Sequence, residues 1–548
     1  MPELAHHPAD VGAATAVAER PGGATRRQFV WRAAGSLLAA GPLGGLLSAC
    51  GADTPASTAS ESAKPPKTPT GMVTVALPGA PNSLDAARRA GVGAFWATIN
   101  LYDTLMAWSP GYTKVVPQLL TGWTASPDLT EWTGQIRPGV EFHDGTPLDS
   151  AAIRANFEYF LANSDFLFVP LPIKTIDDSR PDSIRFVFDA PYVDFTRNLT
   201  LLGMQSPKSI SAGPSAIDQH PVGAGPFEFV SQTQSLIQLK AFPRYWNKGK
   251  PHVAKLNYQI IEDPGARISA LQAGEIDVVP KVDPSQASAL AHGARTKIAA
   301  APSWLVTYLN FKLVVPSVSD IRVRQAVAHA IDRQALLKAL GFGYGTVVDS
   351  FEVPGIVGYQ VVNPSYGYDP AKAKALIKQV GKKISLRIAI VAGDANAGFL
   401  AGESAAQAIA GMLGDVGITA TVDALQDATF NANQLSPNPA VDALWLVDQP
   451  WFTGGPVLYG VTVPVFDLQK ADPASWARYS ALSAQMSQTP DGPARDVVIG
   501  KLQDLEASLC LSLPLFTMPQ IDGLGKDVQG YVPDKRNFGP RFDDVYLG

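Results

Sequence analysis

Residues Trp123 to Ser150 read WTASPDLTEWTGQIRPGVEFHDGTPLDS, and this stretch leaves the chain few choices. Pro127-Asp128 is a turn pair. From Trp132 the apolar residues Trp132 and Ile136 alternate with Thr133, Gln135 and Arg137, which is the period of a half-buried strand. Pro138-Gly139 then reverses the chain, Val140 and Phe142 predict a second short strand, and Asp144-Gly145 turns it toward a helix. Asp149 or Ser150 can cap that helix, whose buried face is expected at Ala152, Ile153, Asn156, Phe157, Phe160 and Leu161.

With 548 residues, 46% hydrophobic and 17% charged, the chain is globular and long enough for roughly three domains. A net charge of -5 gives no basic footprint for nucleic acid. The 45 prolines and 48 glycines against two cysteines predict many turns and short strands rather than a helical bundle or a disulfide scaffold.

The first 49 residues are an address. Thr25-Arg26-Arg27-Gln28-Phe29-Val30 is a twin-arginine pattern, with Arg26 and Arg27 as the export signal. An apolar run from Ala33 to Leu47 follows, shorter than the roughly 20 residues a spanning helix needs. Leu47-Ser48-Ala49-Cys50 resembles a bacterial lipobox, which implies cleavage before Cys50 and acylation of its thiol. Residues 50–71, rich in Ala, Ser, Thr, Pro and Lys, read as a disordered tether. Order is expected from Met72, where Met72 to Leu77 alternate as a strand.

Further along, Ile184, Phe186 and Phe188 alternate with Arg185, Val187 and Asp189. His220-Pro-Val-Gly-Ala-Gly-Pro-Phe227 is a rigid turn into a strand; it lacks the third glycine and the helix of a dinucleotide fingerprint. Leu256 to Val279 reads strand, helix, strand, including Gly274-Glu-Ile-Asp-Val278. Trp304 to Phe311 is a strand, and Asp320 can cap a helix closed by Gly341. Arg322, Arg324 and Arg333 on it either line a cleft or, as the ordinary reading of helix arginines has it, face solvent. Asp369-Pro370 starts another helix, and Ile384 to Val391, Ser404 to Leu413 and Ile418 to Val422 alternate strand, helix, strand, predicting a mostly parallel sheet. Ala443 to Pro456 then sets Asp448 among Trp445, Trp451 and glycines, suited to holding one cation in an apolar recess.

Trp-x-x-Ser-x-Asp-x-x-x-Trp followed by Ile-Arg-Pro-Gly-Val-x-Phe-His-Asp-Gly-Thr-Pro-Leu resembles the signature of the extracytoplasmic solute-binding proteins of peptide-type ABC importers, family 5 of the solute-binding proteins. His220 to Phe227, Gly274 to Val278, and Asp320 to Val327 with Ala330 to Arg333 resemble further parts of that family. The resemblance implies an α/β fold of two lobes joined by two crossing segments, like a periplasmic binding protein, with a small subdomain on the first lobe. It divides the chain into a signal peptide (1–49), tether (50–71), first lobe (72–116, 215–303 and 509–548), small subdomain (117–214) and second lobe (304–508).

It further implies a monomer without cofactor or metal, lipid-anchored on the extracytoplasmic face of a bacterial membrane in the cell envelope or periplasm. Such a protein captures di- or oligopeptides and delivers them to an ABC permease and ATPase. In peptide-binding members a Trp-x-x-Asp pairs its carboxylate with the ligand's α-ammonium; Trp445 and Asp448 have that spacing, with Trp451 close by, so these three are the expected ligand-binding residues. Leu444 stands where that motif has glycine, and Gln449-Pro450 follows the aspartate. These departures leave open another solute, such as a metal chelate or sugar. An exported sensor or hydrolase is the other alternative. The nearest esterase-like string, Gly402-Glu-Ser404-Ala-Ala406, lacks its closing glycine, and the seven histidines show no ligand spacing.

Overall fold

The computed structural model describes residues 64–548 apart from 89–90, 110, 164–170, 351, 393–401, 427–428, 431, 434–435, 437, 451–461 and 537. Arg26, Arg27, Cys50 and Trp451 therefore lie outside the described residues. Among those described, no helix is long and apolar enough to cross a membrane.

Two mixed sheets organise the chain. The first has seven strands in the order Thr296–Ala301, Gln520–Gly525, Val278–Val279, Thr70–Leu77, Val253–Ile260, Leu236–Ala241 and Phe227–Gln232. Thr70–Leu77 runs parallel to both its neighbours. It starts two residues before the expected Met72, because the Thr70 N–H donates to the His252 carbonyl at 3.0 Å. Val73, Val75 and Leu77 pack into the larger core on one face, while Ala76 packs with Leu271 and Leu290 on the other. A strand covered on both faces explains why Val75, Ala76 and Leu77 are apolar in succession.

The small subdomain is an antiparallel sheet ordered Leu120–Ala125, Glu131–Ile136, Ser183–Phe188, Ile173–Arg180. The helix Ser150–Asn163 packs on it, with the Asp149 carboxylate accepting from the Ala152 N–H at 2.8 Å as its cap. Two details differ from expectation. Val140 and Phe142 are buried but form no strand; the Asp144-Gly145 turn closes so tightly that a single bridge, Glu141 to Pro147, remains. Leu161 is 47% exposed, and Tyr159 is buried instead because its hydroxyl reaches the Asp85 carboxylate.

The second sheet is ordered Thr346–Val347, Ser512–Thr517, Leu305–Phe311, Leu444–Pro450, Ile384–Val391, Ile418–Leu425. Its last three strands are parallel, as the strand-helix-strand pattern predicts. It has its own core, from Trp304 through Trp445 to Met518. Several helices of both lobes begin alike: Asp263-Pro264, Asp283-Pro284, Asp369-Pro370 and Asp472-Pro473 each place a carboxylate that accepts a backbone N–H in the first turn and a proline that needs none.

The chain passes between the sheets twice, and the two passages run side by side. Ala301 pairs with Gln520 in the first sheet, and Val306 pairs with Thr517 in the second. Pro302 and Pro519 interrupt this ribbon; neither has an N–H to donate, so the ladder stops where the sheets part. The return to the first lobe thus falls at Met518-Pro519 rather than at 509. Ser512–Thr517 is a strand of the second sheet, hydrogen-bonded to both Leu305–Phe311 and Thr346–Val347. A nearly all-buried run carries no mark of which sheet it joins.

Candidate functional site

The edge of the second sheet at the crossing is also where its three parallel strands end. Leu305, the first strand residue after the crossing, pairs with Pro450, Val306 with Gln449, and Thr307 with Asp448. Val391 and Leu425 close the neighbouring strands in the same direction. In open α/β sheets, ligands settle outside the carboxyl ends of the strands, and here those ends lie against the junction of the lobes. Asp448 is thus held by its backbone at that edge.

Trp445 lies three residues earlier and is fully buried. Its indole N–H donates to the Asp442 carbonyl at 2.8 Å, and its ring meets Phe430 edge-on at 4.8 Å. Trp445, expected to touch ligand, presents no surface in this structure. It anchors the strand that carries Asp448.

An aromatic cluster at the crossing, which sequence reasoning did not single out, joins Trp304 to side chains of the first lobe. Trp304 meets Trp108 at 4.9 Å and Tyr112 at 5.8 Å, both edge-on, while its backbone N–H donates to the Lys535 carbonyl at 2.7 Å. The Arg536 guanidinium lies over the Tyr112 and Phe538 rings, at 5.4 and 5.3 Å. Burial opposes its charge, but the adjacent Asp534 carboxylate more than offsets this and keeps Arg536 protonated. A cavity of about 30 Å³ lies between Arg536, Phe538, Phe95, Ile99, Thr200 and Leu201 among its lining residues. The sequence signal was Asp534-x-Arg536 beside aromatics, too common a pattern to stand out without the fold.

Beside the return crossing, the Asp522 carboxylate accepts from the Lys281 N–H at 2.8 Å, Gln520 Nε2 at 2.6 Å and the Tyr531 hydroxyl at 2.8 Å. Burial nevertheless pushes its pKa up to about 6. The arginines expected on exposed helix faces separate into two kinds. Arg322 is exposed and pairs with Asp320. Arg324 and Arg333 are buried and cap carbonyls: Arg324 donates to Cys510, Leu509, Val318 and Ser319, and Arg333 to Val348, Pro514 and Tyr366. Such forks hold the second lobe together and do not line a cleft.

Comparison with known proteins agrees with this architecture. The family model for bacterial extracellular solute-binding proteins, family 5 middle, matches residues 114–457. The glutathione-binding protein GsiB of Salmonella paratyphi A is 30% identical over 274 residues, covering 49% of this chain and 53% of the relative. The dipeptide-binding protein of Escherichia coli is 27% identical over 317 residues, covering 52% and 58%. The chain thus spans little more than half the length of these curated relatives. The crystal structure of NikA from Brucella suis in complex with Fe(III)-EDTA superposes with a TM-score of 0.77 at 18% identity, covering 87% of this chain and all of the other, which shows the shared two-lobed fold.

Proposed function

We propose that this chain, which belongs to family 5 of the bacterial extracellular solute-binding proteins, captures peptides between its lobes and hands them to an ABC import permease without altering them. The observation that carries the reading is the register of Leu305–Phe311 against Leu444–Pro450, which fixes Asp448 at the carboxyl edge of the second sheet beside the crossing. An extended peptide satisfies most of its backbone groups without regard to side chains, so a terminal ammonium is what sets its register. Enclosing that charge is costly unless a carboxylate meets it. We assign that role to Asp448, with Trp445 as the support behind the strand, and keep Trp451 as a further ligand-binding residue on its sequence proximity alone. The glutathione- and dipeptide-binding relatives support the ligand class.

In this reading Arg26 and Arg27 direct export, and acylated Cys50 anchors the protein on the outer face of the membrane through the segment 50–71. Replacing Cys50 by Ala then releases a soluble or unprocessed form; a variant still cleaved and membrane-bound contradicts the anchor.

A second reading, another solute in the same cleft, is favoured by Leu444, Gln449 and Pro450 around the aspartate. A thermal-shift panel of di- to pentapeptides, metal chelates and sugars separates the two. A true ligand at 100 times its Kd stabilises the folded form by about 2.7 kcal/mol. Peptides that shift the transition and are recovered intact support the proposal. A shift with chelates or sugars alone moves the assignment to the second reading, and cleaved peptide overturns the binding role.

A further inference from the structure

Four charged side chains join the lobes away from the crossing segments. Asp194 and Arg197 belong to the first lobe's subdomain, where neighbouring Phe195 is in the first core. Asp491 and Arg495 belong to the second lobe, at the start of the helix Pro493–Ser508. Arg197 reaches Asp194 at 2.9 Å and Asp491 at 2.5 Å. Arg495 reaches Asp491 at 2.6 Å and Asp194 at 2.5 Å. Each carboxylate therefore meets both guanidiniums, and each guanidinium both carboxylates, in a closed ring to which each lobe gives one charge of either sign. The Val193 N–H donates to the Ser487 carbonyl beside it, at 3.4 Å. Arg495 is wholly buried and Asp491 half-exposed.

We propose that this ring is a reversible latch that holds the lobes closed. It rests on the reading above, in which ligand is captured between the lobes, and it adds that the lobes part about the paired crossings to admit it. Its reversibility follows from how the charges are shared. A lone buried cross-pair strands two bare charges when broken, which locks an interface. Here Asp194 and Arg197 remain paired at i,i+3, and Asp491 and Arg495 at i,i+4, when the lobes separate. Opening breaks the ring's two cross-contacts and the Val193 to Ser487 hydrogen bond, and water replaces them. Closure is thereby coupled to ionic strength, because an edge that opens to solvent is screened within about 3 Å in 1 M salt.

The test uses the full chain without ligand, so an error in the ligand class leaves its outcome unchanged, and failure of every peptide to bind would overturn the assigned ligand but not the latch. Small-angle scattering is recorded at 20 mM and 1 M salt for the native protein and for Asp491→Asn, with circular dichroism as the control for folding. The native protein is expected to expand as salt rises. Asp491→Asn, a half-exposed and isosteric change, is expected to be expanded already at low salt, with its closed population reduced roughly tenfold, and to respond little to salt. If native dimensions do not change with salt, or if folded Asp491→Asn scatters and responds as the native protein does, the ring is no latch. The native salt series decides the matter even if the variant folds poorly.

Discussion

His143 and Gly223, 80 residues apart, hold each other by two hydrogen bonds: the His143 N–H donates to the Gly223 carbonyl at 2.9 Å, and the Gly223 N–H donates to His143 Nδ1 at 3.2 Å. The other ring nitrogen, Nε2, donates to the Gly225 carbonyl at 3.1 Å. Two stretches that stood out separately in the sequence thus form one structure. Burial lowers the pKa of His143 to about 4, and Nδ1 can accept only while neutral. A histidine with a lowered folded pKa contributes stability that is fully present above its usual 6.5 and is lost as pH falls toward 4. A pH titration followed by NMR should find the His143 ring neutral throughout pH 5 to 8. A midpoint near 6.5 would contradict the buried, neutral assignment.

Gly223 is required for space as much as for the turn. A Cβ there would lie 2.1 Å from the Leu101 carbonyl oxygen and 2.4 Å from Tyr102 Cδ1. Backbone cannot give way as a flexible side chain can, so Gly223→Ala should cost on the order of 3 kcal/mol. Gly213→Ala serves as a comparison: its φ of +88° makes it strained, but nothing lies within 4 Å. It should cost about 1 kcal/mol. Urea unfolding of both variants gives the answer, and equal losses would remove the packing argument.

Asp522 predicts an opposite pH trend. Its folded pKa of about 6 lies above the ordinary 3.8, so the folded state holds the proton more tightly. The stability this contributes is present below pH 3.8 and is lost as pH rises through 6. Asp522→Asn keeps acceptors for Lys281 and Gln520 and can donate to the Tyr531 hydroxyl. It should therefore unfold less readily than the native protein at pH 7, by up to roughly 3 kcal/mol, with the difference shrinking toward pH 4. A gap that grows on acidification would show that the charged form is the stabilising one.

What the sequence revealed was local order. Asp149 and Asp320 could be read as caps, and the parallel strands from Ile384 to Leu425 followed from strand-helix-strand alternation, because each depends on residues within one or two turns of chain. Arg324 and Arg333 were misread because a charge on a helix ordinarily means solvent, and the carbonyls they satisfy lie up to 186 residues away. The sequence likewise could not join Asp194 to Arg495, 301 residues apart. Nor could it show that Trp445 faces the core, since a tryptophan near an aspartate suits a wall of a ligand site and a lobe interior equally well.

The central claim is that Asp448 receives a peptide's α-ammonium, and peptide binding by calorimetry to native and Asp448→Asn protein tests it most directly. A peptide that the native protein binds and its N-acetylated form are compared on both. Leaving an enclosed ammonium poorly paired should cost about 3 kcal/mol, roughly a hundredfold in Kd, for the free peptide on Asp448→Asn. The acetylated peptide should bind the native protein weakly and lose little more on the variant, so that the double comparison isolates the pair. If Asp448→Asn binds free and acetylated peptides as the native protein does, Asp448 is not the ammonium's partner and the peptide assignment loses its site.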